Sequence, residues 1–359
     1  MEEVRLMKGN EAIAHAAIRC GCDGYFGYPI TPQSEIMETL MELEPWNSTG
    51  MVVLQAESET SSINMVYGAA GCGKRAMTSS SSPGVSLMQE GISYIAGAEL
   101  PCVIVNVMRG GPGLGTIQPS QADYFQAVKG GGHGDYHMIV LAPNSVQEMA
   151  DHLCLAFDLA FKYLTPAMIL ADGVIGQMME KVVLPPFRPR LTEKEISEKY
   201  PWATLGKPQT RNPNIINSLR LESDEMEELN LLLQKRYAQI EQNEVLYETF
   251  LCEDAEYLIV AFGTSSRVSK KAVELARAEG IKVGLLRPIT LFPFPKIPIS
   301  QLANQVKGML TVEMNAGQMI EDVRLAVNGR VSVEFFGRMG GIVPSPDDVL
   351  DALKTKIVN

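Results

Sequence analysis

The segment Gly27-Tyr28-Pro29-Ile30-Thr31-Pro32 constrains the fold of this chain more than any other. Each proline ring fixes its own φ at about −65° and disfavours helix at the residue before it, so this segment cannot continue a helix. A short apolar stretch precedes it and a helical pattern, residues 33–44, follows. The sequence therefore predicts a rigid strand-to-helix turn with the hydroxyl of Thr31 at its tip, which suits a binding loop better than a core element.

The size and charge of the chain argue against several classes of protein. Its 359 residues are too many for one small hydrophobic core, so we expect two domains. The formal net charge of −11 disfavours a nucleic-acid or anionic-membrane partner, because such partners need clustered Lys and Arg. No apolar run reaches the roughly 18 residues that span a bilayer, and the first residues lack a signal-peptide pattern. We therefore expect a cytoplasmic protein.

The cysteines are scattered and form no Cys-x-x-Cys pair: Cys20, Cys22, Cys72, Cys102, Cys154 and Cys252. Zinc and iron–sulfur sites need several ligands at close, repeated spacings. We therefore expect buried free thiols and no metal site or cluster on this chain. The loop His133-Gly-Asp-Tyr-His137 offers too few ligands for a metal, and we expect it to line a cleft.

Short β-rich runs alternate with helical patterns from residue 10 to about residue 180. The strand candidates are Gly24–Tyr28, Met51–Gln55, Arg75–Thr78, Cys102–Val107, Met138–Ala142 and Ala167–Leu170, and the helix candidates are Gln33–Leu43, Ser58–Ala70, Val85–Ala98 and Ser145–Leu164. This rhythm predicts an α/β domain whose parallel sheet is covered on both faces. Ligands bind such sheets at the carboxyl ends of the strands. The polar residues expected there are Thr31, Glu59, Ser79–Ser82 and Arg109.

The rest of the chain divides into a linker and a second α/β unit. Prolines recur in the linker, at positions 185, 186, 189, 201, 208 and 213, and predict an extended segment. A helix of about residues 223–250 follows, with one apolar stripe formed by Met226, Leu229, Leu233, Tyr237 and Ile240. Strand and helix patterns alternate again towards the C-terminus, with strands at 257–262, 282–286, 308–313 and 331–336. We therefore divide the chain into residues 1–184, 185–252 and 253–359.

Three polar features are candidates for binding or catalysis. Glu59 directly follows an apolar strand, although a first-turn acid can simply stabilise its helix and Glu57 shares the environment. The serines of Thr78–Gly84 precede a helix and could hold an anion there, or could merely cap the helix. Arg109 opens a glycine-rich loop and offers a planar fork for a carboxylate. The residues alone leave each of these alternatives open.

In combination, these motifs resemble those of the alpha subunit of 2-oxoacid:ferredoxin oxidoreductases. The matching segments follow the family order: Tyr28–Pro32, Glu59 with Ile63–Gly68, Met77–Gly84, Arg109–Pro112 and Arg287–Pro293. The resemblance implies a pyrimidine-binding thiamine diphosphate domain over residues 1–184 and a transketolase C-terminal-like α/β domain over residues 253–359. It is strongest to the branch that oxidises branched-chain 2-oxoacids such as 3-methyl-2-oxobutanoate to acyl-coenzyme A. The 2-oxoglutarate and pyruvate branches remain open.

The same resemblance implies roles for individual residues. Glu59, which stands nine residues before Gly68 as in the family pattern, would hydrogen-bond the aminopyrimidine ring and favour its imino tautomer. Thr31 would lie beside the thiazolium and the substrate, and Arg109 would pair with the substrate carboxylate. The residues that would contact the cofactor are Tyr28, Pro29, Ile30, Thr31, Glu59 and Ser82. The serine run departs from the usual Thr-Ser-Gly-Pro-Gly form of the family.

The chain lacks the Gly-Asp-Gly and Asn pattern that usually anchors Mg²⁺ and the diphosphate, since Gly134-Asp135 and Asp172-Gly173 match it only in part. The resemblance therefore implies a beta subunit that carries the diphosphate half of the site with Mg²⁺. Gamma and ferredoxin-like subunits would carry the iron–sulfur clusters, with ferredoxin, coenzyme A and a 2-oxoacid as reactants. The chain would be active only in that complex. Two alternatives stay open: a non-catalytic assembly subunit, and a thiamine enzyme that acylates lipoamide.

Overall fold

A computed structural model describes residues 3–206 and 211–358, so Pro208 of the predicted linker lies outside the described residues. The described strands are β1 Val4–Lys8, β2 Gly24–Gly27, β3 Val52–Gln55, β4 Ala76–Ser80, β5 Val103–Met108, β6 Ile139–Leu141, β7 Ala167–Asp172, β8 Met179–Val183, β9 Tyr247–Phe250, β10 Tyr257–Ala261, β11 Val283–Pro288, β12 Thr290–Phe292, β13 Gly308–Glu313 and β14 Ser332–Gly337. The described helices are α1 Gly9–Arg19, α2 Ser34–Leu43, α3 Pro45–Ser48, α4 Glu59–Gly71, α5 Pro83–Gly97, α6 Tyr124–Val128, α7 Val146–Tyr163, α8 Gly173–Gln177, α9 Glu193–Lys199, α10 Ser223–Asn243, α11 Gly263–Ala278, α12 Lys296–Leu302, α13 Met319–Val327 and α14 Pro346–Leu353.

The largest sheet within the described ranges has seven strands in the order β12-β6-β7-β5-β4-β2-β3. Every neighbouring pair is parallel except β12 with β6. Strands β4, β5 and β7 are buried at every residue, as expected for parallel strands with helices on both faces. The α/β class predicted from the sequence is therefore confirmed. When short apolar strands alternate with helices along a chain, a parallel sheet between helices buries the apolar faces of the strands and of the helices together.

The second sheet has the order β14-β13-β10-β11-β9, again parallel except for the antiparallel edge strand β9. Helices α11 and α14 pack against each other, and their buried residues, among them Val273 and Leu353, form one hydrophobic cluster with β10 and β13. This sheet is the second α/β unit that the sequence predicted.

The second unit contributes one strand to the sheet of the first unit. Thr290–Phe292 follows β11 of the second sheet but pairs antiparallel with β6 of the first, so β12 completes the larger sheet. Just before it, the guanidinium of Arg287 binds both oxygens of Glu148 on α7 at 2.7 Å. The segment Arg287–Pro293 therefore joins the two units, through the ion pair of Arg287 and the pairing of β12.

The Pro-rich segment between the units holds more regular structure than the prolines predicted, because the capping box of Thr192 and Glu195 begins the short helix α9. Just before this segment, strand β8 of the first unit pairs antiparallel with β1. Helix α10 follows, and its stripe of Leu229, Leu233 and Tyr237 is buried against the first unit. The predicted end of this helix at about residue 250 is wrong, because the helix ends at Asn243 and Tyr247–Phe250 forms β9, whose aromatic and β-branched residues pair with the edge of the second sheet. Among the described residues, no helix is both long and apolar enough to cross a membrane.

Candidate functional site at the carboxyl edge of the larger sheet

The polar residues expected at one edge of the sheet are brought together there. Strands β3, β2, β4 and β5 are neighbours, and each ends at the same edge because all are parallel. Thr31 follows β2, Glu59 follows β3, Ser82 follows β4 and Arg109 follows β5. The edge therefore carries a carboxylate, hydroxyls and a guanidinium on adjacent connections.

Side-chain amides form hydrogen bonds to the backbone on the inner side of the turn at Thr31. The carbonyl of Pro32 accepts hydrogen bonds from Asn10 Nδ2 at 2.7 Å and from Gln177 Nε2 at 2.9 Å. Gln33 is buried, and its Oε1 accepts from the hydroxyl of Ser79 at 2.5 Å. Because these contacts fix the inner side of the turn, Thr31 remains exposed on its outer side. Its neighbours Tyr28, Pro29 and Ile30 are exposed or half-buried along the same surface.

Glu59 is the first residue of α4 and is 7% exposed. The helix is capped by Ser58, whose Oγ accepts from the backbone N–H of Ser61 at 3.2 Å, so the carboxylate of Glu59 is not needed as a cap. No donor from the described residues hydrogen-bonds that carboxylate. It lies against Gly84, where an added Cβ would come within 2.7 Å of Glu59 Oε1. Glu57, by contrast, is exposed and accepts from Ser61 Oγ.

Arg109 is 9% exposed and bridges two loops. Its Nη1 donates to the carbonyl of Thr31 at 2.9 Å, and its Nη2 donates to the carbonyl of Leu114 at 2.9 Å. Its buried Nε has no partner among the described residues. The guanidinium therefore places a buried positive charge directly behind the Thr31 turn.

The hydroxyl of Ser82 forms hydrogen bonds to other residues of this chain. It donates to Asp123 Oδ2 at 2.6 Å and accepts from the backbone N–H of Arg109 at 3.0 Å. Asn106 Nδ2 donates to the same carboxylate oxygen at 2.9 Å. Burial raises the pKa of Asp123, although the hydrogen bonds from Ser82 and Asn106 oppose that shift. Ser82 thus ties the end of β4 to the end of β5.

The two partial matches to the Mg²⁺ motif, at Asp135 and Asp172, lie away from Thr31, Glu59 and Arg109. Asp172 is buried at the end of β7, where it caps α8 and accepts from Thr264 Oγ1 at 2.7 Å across the two units. Burial raises its pKa. Asp135 is exposed in the loop that begins at His133, and this loop lines a cavity of about 580 Å³ with α10, as predicted. Within residues 3–206 and 211–358, no group of three or more His, Cys, Asp or Glu could hold a metal.

Comparison with known proteins identifies the family. Residues 15–244 match the family model of pyruvate flavodoxin/ferredoxin oxidoreductase, thiamine diphosphate-binding, and residues 255–349 match that of pyruvate:ferredoxin oxidoreductase core domain II. The chain belongs to this family. It is a subunit of a 2-oxoacid:ferredoxin oxidoreductase, and the family resemblance and the fold class inferred from the sequence are confirmed.

Three relatives illustrate the similarity. Ketoisovalerate oxidoreductase subunit VorB of Methanothermobacter marburgensis is 53% identical over 98% of this chain and 97% of its own. The 2-oxoglutarate synthase subunit KorA of Archaeoglobus fulgidus is 39% identical over 94% of this chain and 96% of its own. The solved 2-oxoglutarate:ferredoxin oxidoreductase from Magnetococcus marinus superposes with a TM-score of 0.84 at 26% identity. This superposition covers 98% of our chain and 65% of the solved chain, which is therefore considerably longer.

The residues at the edge fit an aminopyrimidine ring. Such a ring offers nitrogen atoms that pair with a carboxyl group, and Glu59 presents one without a partner from the described chain. The buried hydroxyl oxygens of Ser80 and Ser81 also have no partner in the described part of the chain, and Ser80 Oγ lies near Glu59 at Gly84. Gly84 packs closely against both groups, since an added Cβ would lie 2.1 Å from Ser80 Oγ and 2.7 Å from Glu59 Oε1.

Several supporting residues were missed from the sequence. Asn106 interrupts an otherwise apolar buried strand, and a polar residue in such a strand signals a required hydrogen bond. Ser79 was expected at this edge, but its partner Gln33 was predicted only as the first residue of a helix, and their hydrogen bond joins residues that are distant in the sequence. Asp123 carried no local signal, because its partners Ser82 and Asn106 are distant in the sequence.

Proposed function

We propose that this chain supplies the aminopyrimidine half of a thiamine diphosphate site in a complex that oxidatively decarboxylates a branched-chain 2-oxoacid, such as 3-methyl-2-oxobutanoate, to acyl-coenzyme A and reduces ferredoxin. The observation that carries the proposal is the buried Glu59 carboxylate, which has no partner from the described chain and lies at the carboxyl edge of the sheet. In this assignment residues 1–184 form the cofactor domain, 185–252 the linker and 253–359 the second domain.

Thiamine diphosphate, when bound, supplies the carbon nucleophile that attacks the 2-oxoacid carbonyl and the electron sink for decarboxylation. Glu59 would hold a proton at the ring nitrogen, because its buried carboxyl at the start of α4 has no partner from the described residues. Thr31 would donate its exposed hydroxyl to the carbonyl or carboxylate of the substrate. Arg109 would position Thr31 through its carbonyl, and its buried charge would favour a bound carboxylate.

We infer that a second polypeptide completes the site. The elements that follow the strand ends expose apolar side chains, namely Met65 on α4, Leu87 on α5 and the 82% exposed Leu114 in the loop after Arg109. Exposed apolar side chains on the elements that form a polar site are consistent with a protein interface there. We propose a beta subunit that covers this edge and brings Mg²⁺ and the diphosphate contacts. Gamma and ferredoxin-like subunits would hold the iron–sulfur clusters, and we propose that the complex acts in the cytoplasm.

The choice of substrate follows the relatives. Two proteins named ketoisovalerate oxidoreductase subunit VorB are 53% identical to the chain, whereas the 2-oxoglutarate synthase subunit of Archaeoglobus fulgidus is 39% identical and a ketoisovalerate oxidoreductase subunit VorA of Pyrococcus horikoshii is 27% identical. A pocket that distinguishes substrates by a methylene group gains only about 1–3 kcal/mol, so a few side chains decide the preference. The 2-oxoglutarate and pyruvate activities are therefore the alternatives that an assay must compare.

The experiment is dye reduction by the purified native complex with 2-oxoisovalerate, 2-oxoglutarate, pyruvate and indolepyruvate, in the presence of coenzyme A. We expect the highest kcat/KM for 2-oxoisovalerate, with viologen or ferredoxin as acceptor and no lipoyl protein. A higher kcat/KM for 2-oxoglutarate would reject the branched-chain assignment. A strict requirement for a lipoyl protein would reject ferredoxin reduction and support the lipoamide alternative.

A paired substitution separates catalysis from assembly. Glu59→Gln removes the carboxyl that would hold the proton, and Glu57→Gln makes the same change at the exposed neighbour. We expect turnover of the complex to fall ~100-fold or more with Glu59→Gln, and to stay unchanged with Glu57→Gln. Unchanged turnover in both variants, with the complex intact by gel filtration, would support a non-catalytic assembly subunit.

A further inference from the structure

A carboxylate that belongs to none of the predicted site residues lies on the inner side of the Thr31 turn. Glu35 is in the first turn of α2. Its Oε2 accepts from Asn10 Nδ2 at 2.9 Å, and its Oε1 accepts from Gln177 Nε2 at 2.8 Å. The same two nitrogen atoms donate to the carbonyl of Pro32, at 2.7 and 2.9 Å. Two side-chain amides, one from α1 and one from α8, therefore join the carboxylate of Glu35 to the backbone of the turn.

The carboxyl group of Glu35 is ionised near neutral pH. Burial alone would raise its pKa, but hydrogen bonds, foremost the one from Gln177, and the charge of Lys8 hold that pKa below its usual value. Lys8 Nζ lies 3.4 Å from Glu35 Oε1 and donates to Gln177 Oε1 at 3.2 Å. Because an ionised carboxylate has no proton to donate, both of its oxygens act only as acceptors.

This acceptor character determines how the two amides are oriented. The side-chain nitrogen of Asn10, and likewise that of Gln177, lies between two acceptors, the Glu35 carboxylate and the Pro32 carbonyl. If either amide were flipped, its oxygen would face both acceptors and two hydrogen bonds would be lost. Asn10 Oδ1 is buried and has no partner among the described residues, so this side chain serves the network only through its donors.

We propose that Glu35 is a positioning residue for the decarboxylation, whose ionised carboxylate orients Asn10 and Gln177 so that both donate to the Pro32 carbonyl and hold Thr31 in its place beside the substrate. This proposal rests on the proposed function, since it assigns a task within the same site. Glu35 acts through the two amides and does not itself contact the substrate. The turn is thus supported by Arg109 on one side, at the Thr31 carbonyl, and by this network at the next carbonyl along the chain.

Replacement by glutamine isolates this role, because it keeps the size of the side chain. A glutamine at position 35 carries one oxygen and one NH2 group, so one of the two neighbouring amides would then face a donor instead of an acceptor. That amide must either leave two donors opposed or turn its oxygen towards the Pro32 carbonyl. In both cases the turn loses one of its two supporting hydrogen bonds, while the helix propensity of α2 changes little.

The test compares Glu35→Gln with Glu38→Gln, which makes the same change at an exposed position of α2, in the assembled complex. We expect kcat of dye reduction with the preferred 2-oxoacid to fall ~10-fold in Glu35→Gln and to match the wild type in Glu38→Gln. We expect exchange of the C2 proton of bound thiamine diphosphate to stay within ~3-fold of the wild type in both, since that step depends on Glu59. General damage to the site would lower kcat and C2 exchange together.

Hydrogen–deuterium exchange followed by mass spectrometry reports on the turn without any turnover. The backbone N–H of Gln33 donates to the carbonyl of Ile30 at 3.1 Å, so peptides that cover residues 28–36 detect a loosened turn. We expect faster exchange of these peptides in Glu35→Gln and wild-type exchange in Glu38→Gln. A complex without 2-oxoacid activity would reject the proposed function, whereas this measurement would still test the support of the turn by Glu35.

A double variant shows whether Glu35 acts through the amides. Gln177→Met removes one amide at nearly constant side-chain length, and we expect it to lower kcat about as much as Glu35→Gln does. In the Gln177→Met background a glutamine at position 35 can present its oxygen to Asn10 and its NH2 group to the vacated side, so we expect Glu35→Gln to cause no further loss there. Losses of kcat that multiply in the double variant would overturn the proposal. So would wild-type kcat, wild-type exchange of peptides 28–36, or a parallel loss of C2 exchange in Glu35→Gln.

Discussion

The guanidinium of Arg109 donates to the backbone carbonyl of Thr31 at 2.9 Å, although the two residues are far apart in the sequence. This bond joins the connection after β2 to the connection after β5, across the end of β4. It fixes the height of the Thr31 hydroxyl above the sheet. The arginine that the sequence suggested as a substrate ligand thus also has a supporting role.

Replacement of Arg109 by lysine should separate these roles. Lysine keeps the positive charge but has one donor group and cannot bridge the Thr31 and Leu114 carbonyls as the planar guanidinium does. We expect kcat of the assembled complex to fall roughly tenfold or more in dye reduction, with the far-ultraviolet circular dichroism unchanged. Arg267→Lys, at a surface pair with Glu180, is the control and should keep wild-type kcat. Equal kcat in Arg109→Lys and the wild type would contradict a positioning role.

A methyl group at Gly84 should displace the carboxylate of Glu59. The added Cβ would come within 2.7 Å of Glu59 Oε1 and 2.1 Å of Ser80 Oγ, so the carboxylate must move. We expect Gly84→Ala to lower turnover ~10-fold or more, because small displacements of catalytic groups are costly. Gly68→Ala on the same α4 meets no atom within 4 Å and should leave turnover unchanged while it stabilises the helix by about 1 kcal/mol. Comparison of kcat and thermal unfolding for both variants decides between these outcomes.

The sequence predicted that the candidate residues lie at one edge of the sheet, because this placement depends only on the local alternation of strands and helices. Parallel alternation alone places Thr31, Glu59 and Arg109 at one edge, because every strand of a parallel sheet ends on the same side. The apolar stripe of α10 was also predicted from the sequence, since helical periodicity appears within the segment itself and does not depend on its packing partners.

The sequence did not predict which distant strands pair with each other. Strand β12 has only three residues and joins a sheet formed mostly from residues more than a hundred positions earlier, so its pattern gave no sign of the partner. The same holds for β8, whose partner β1 lies at the other end of the first unit. The contact of Asp172 with Thr264 likewise depends on how the two units pack, and no short motif predicts it.

The ion pair between Glu148 and Arg287 should contribute to the stability of the joined units. Burial would raise the pKa of Glu148, but its hydrogen bonds and charge contact with Arg287 hold that pKa below the usual value. Removal of one partner leaves a nearly buried charge, so we expect Glu148→Gln to lower the free energy of unfolding by ~3 kcal/mol in urea titration. Glu274→Gln, at an exposed pair with Lys271, should have no measurable effect. A stability equal to wild type in Glu148→Gln would argue against this joint.

His152 should make stability depend on pH. Burial lowers its pKa from 6.5 to about 4, with smaller contributions from Glu148, which raises it, and Arg287, which lowers it. Between these two values the unfolded chain binds the proton and the folded chain does not, so stability is complete above about pH 6.5 and is lost as the pH falls towards 4. The loss from this group is about 3 kcal/mol at most. We expect His152→Gln to flatten the curve of unfolding free energy against pH, whereas His133→Gln, at an exposed position, should not.

The most direct measurement is the rate at which bound thiamine diphosphate exchanges its C2 proton for deuterium, followed by proton NMR after acid quench of the assembled complex. It needs no 2-oxoacid, so it reports on the Glu59 carboxyl and not on substrate preference. We expect the exchange to slow ~100-fold or more in Glu59→Gln and to match the wild type in Glu57→Gln. Wild-type exchange in Glu59→Gln, with cofactor still bound, would contradict the assignment of Glu59 to the aminopyrimidine ring.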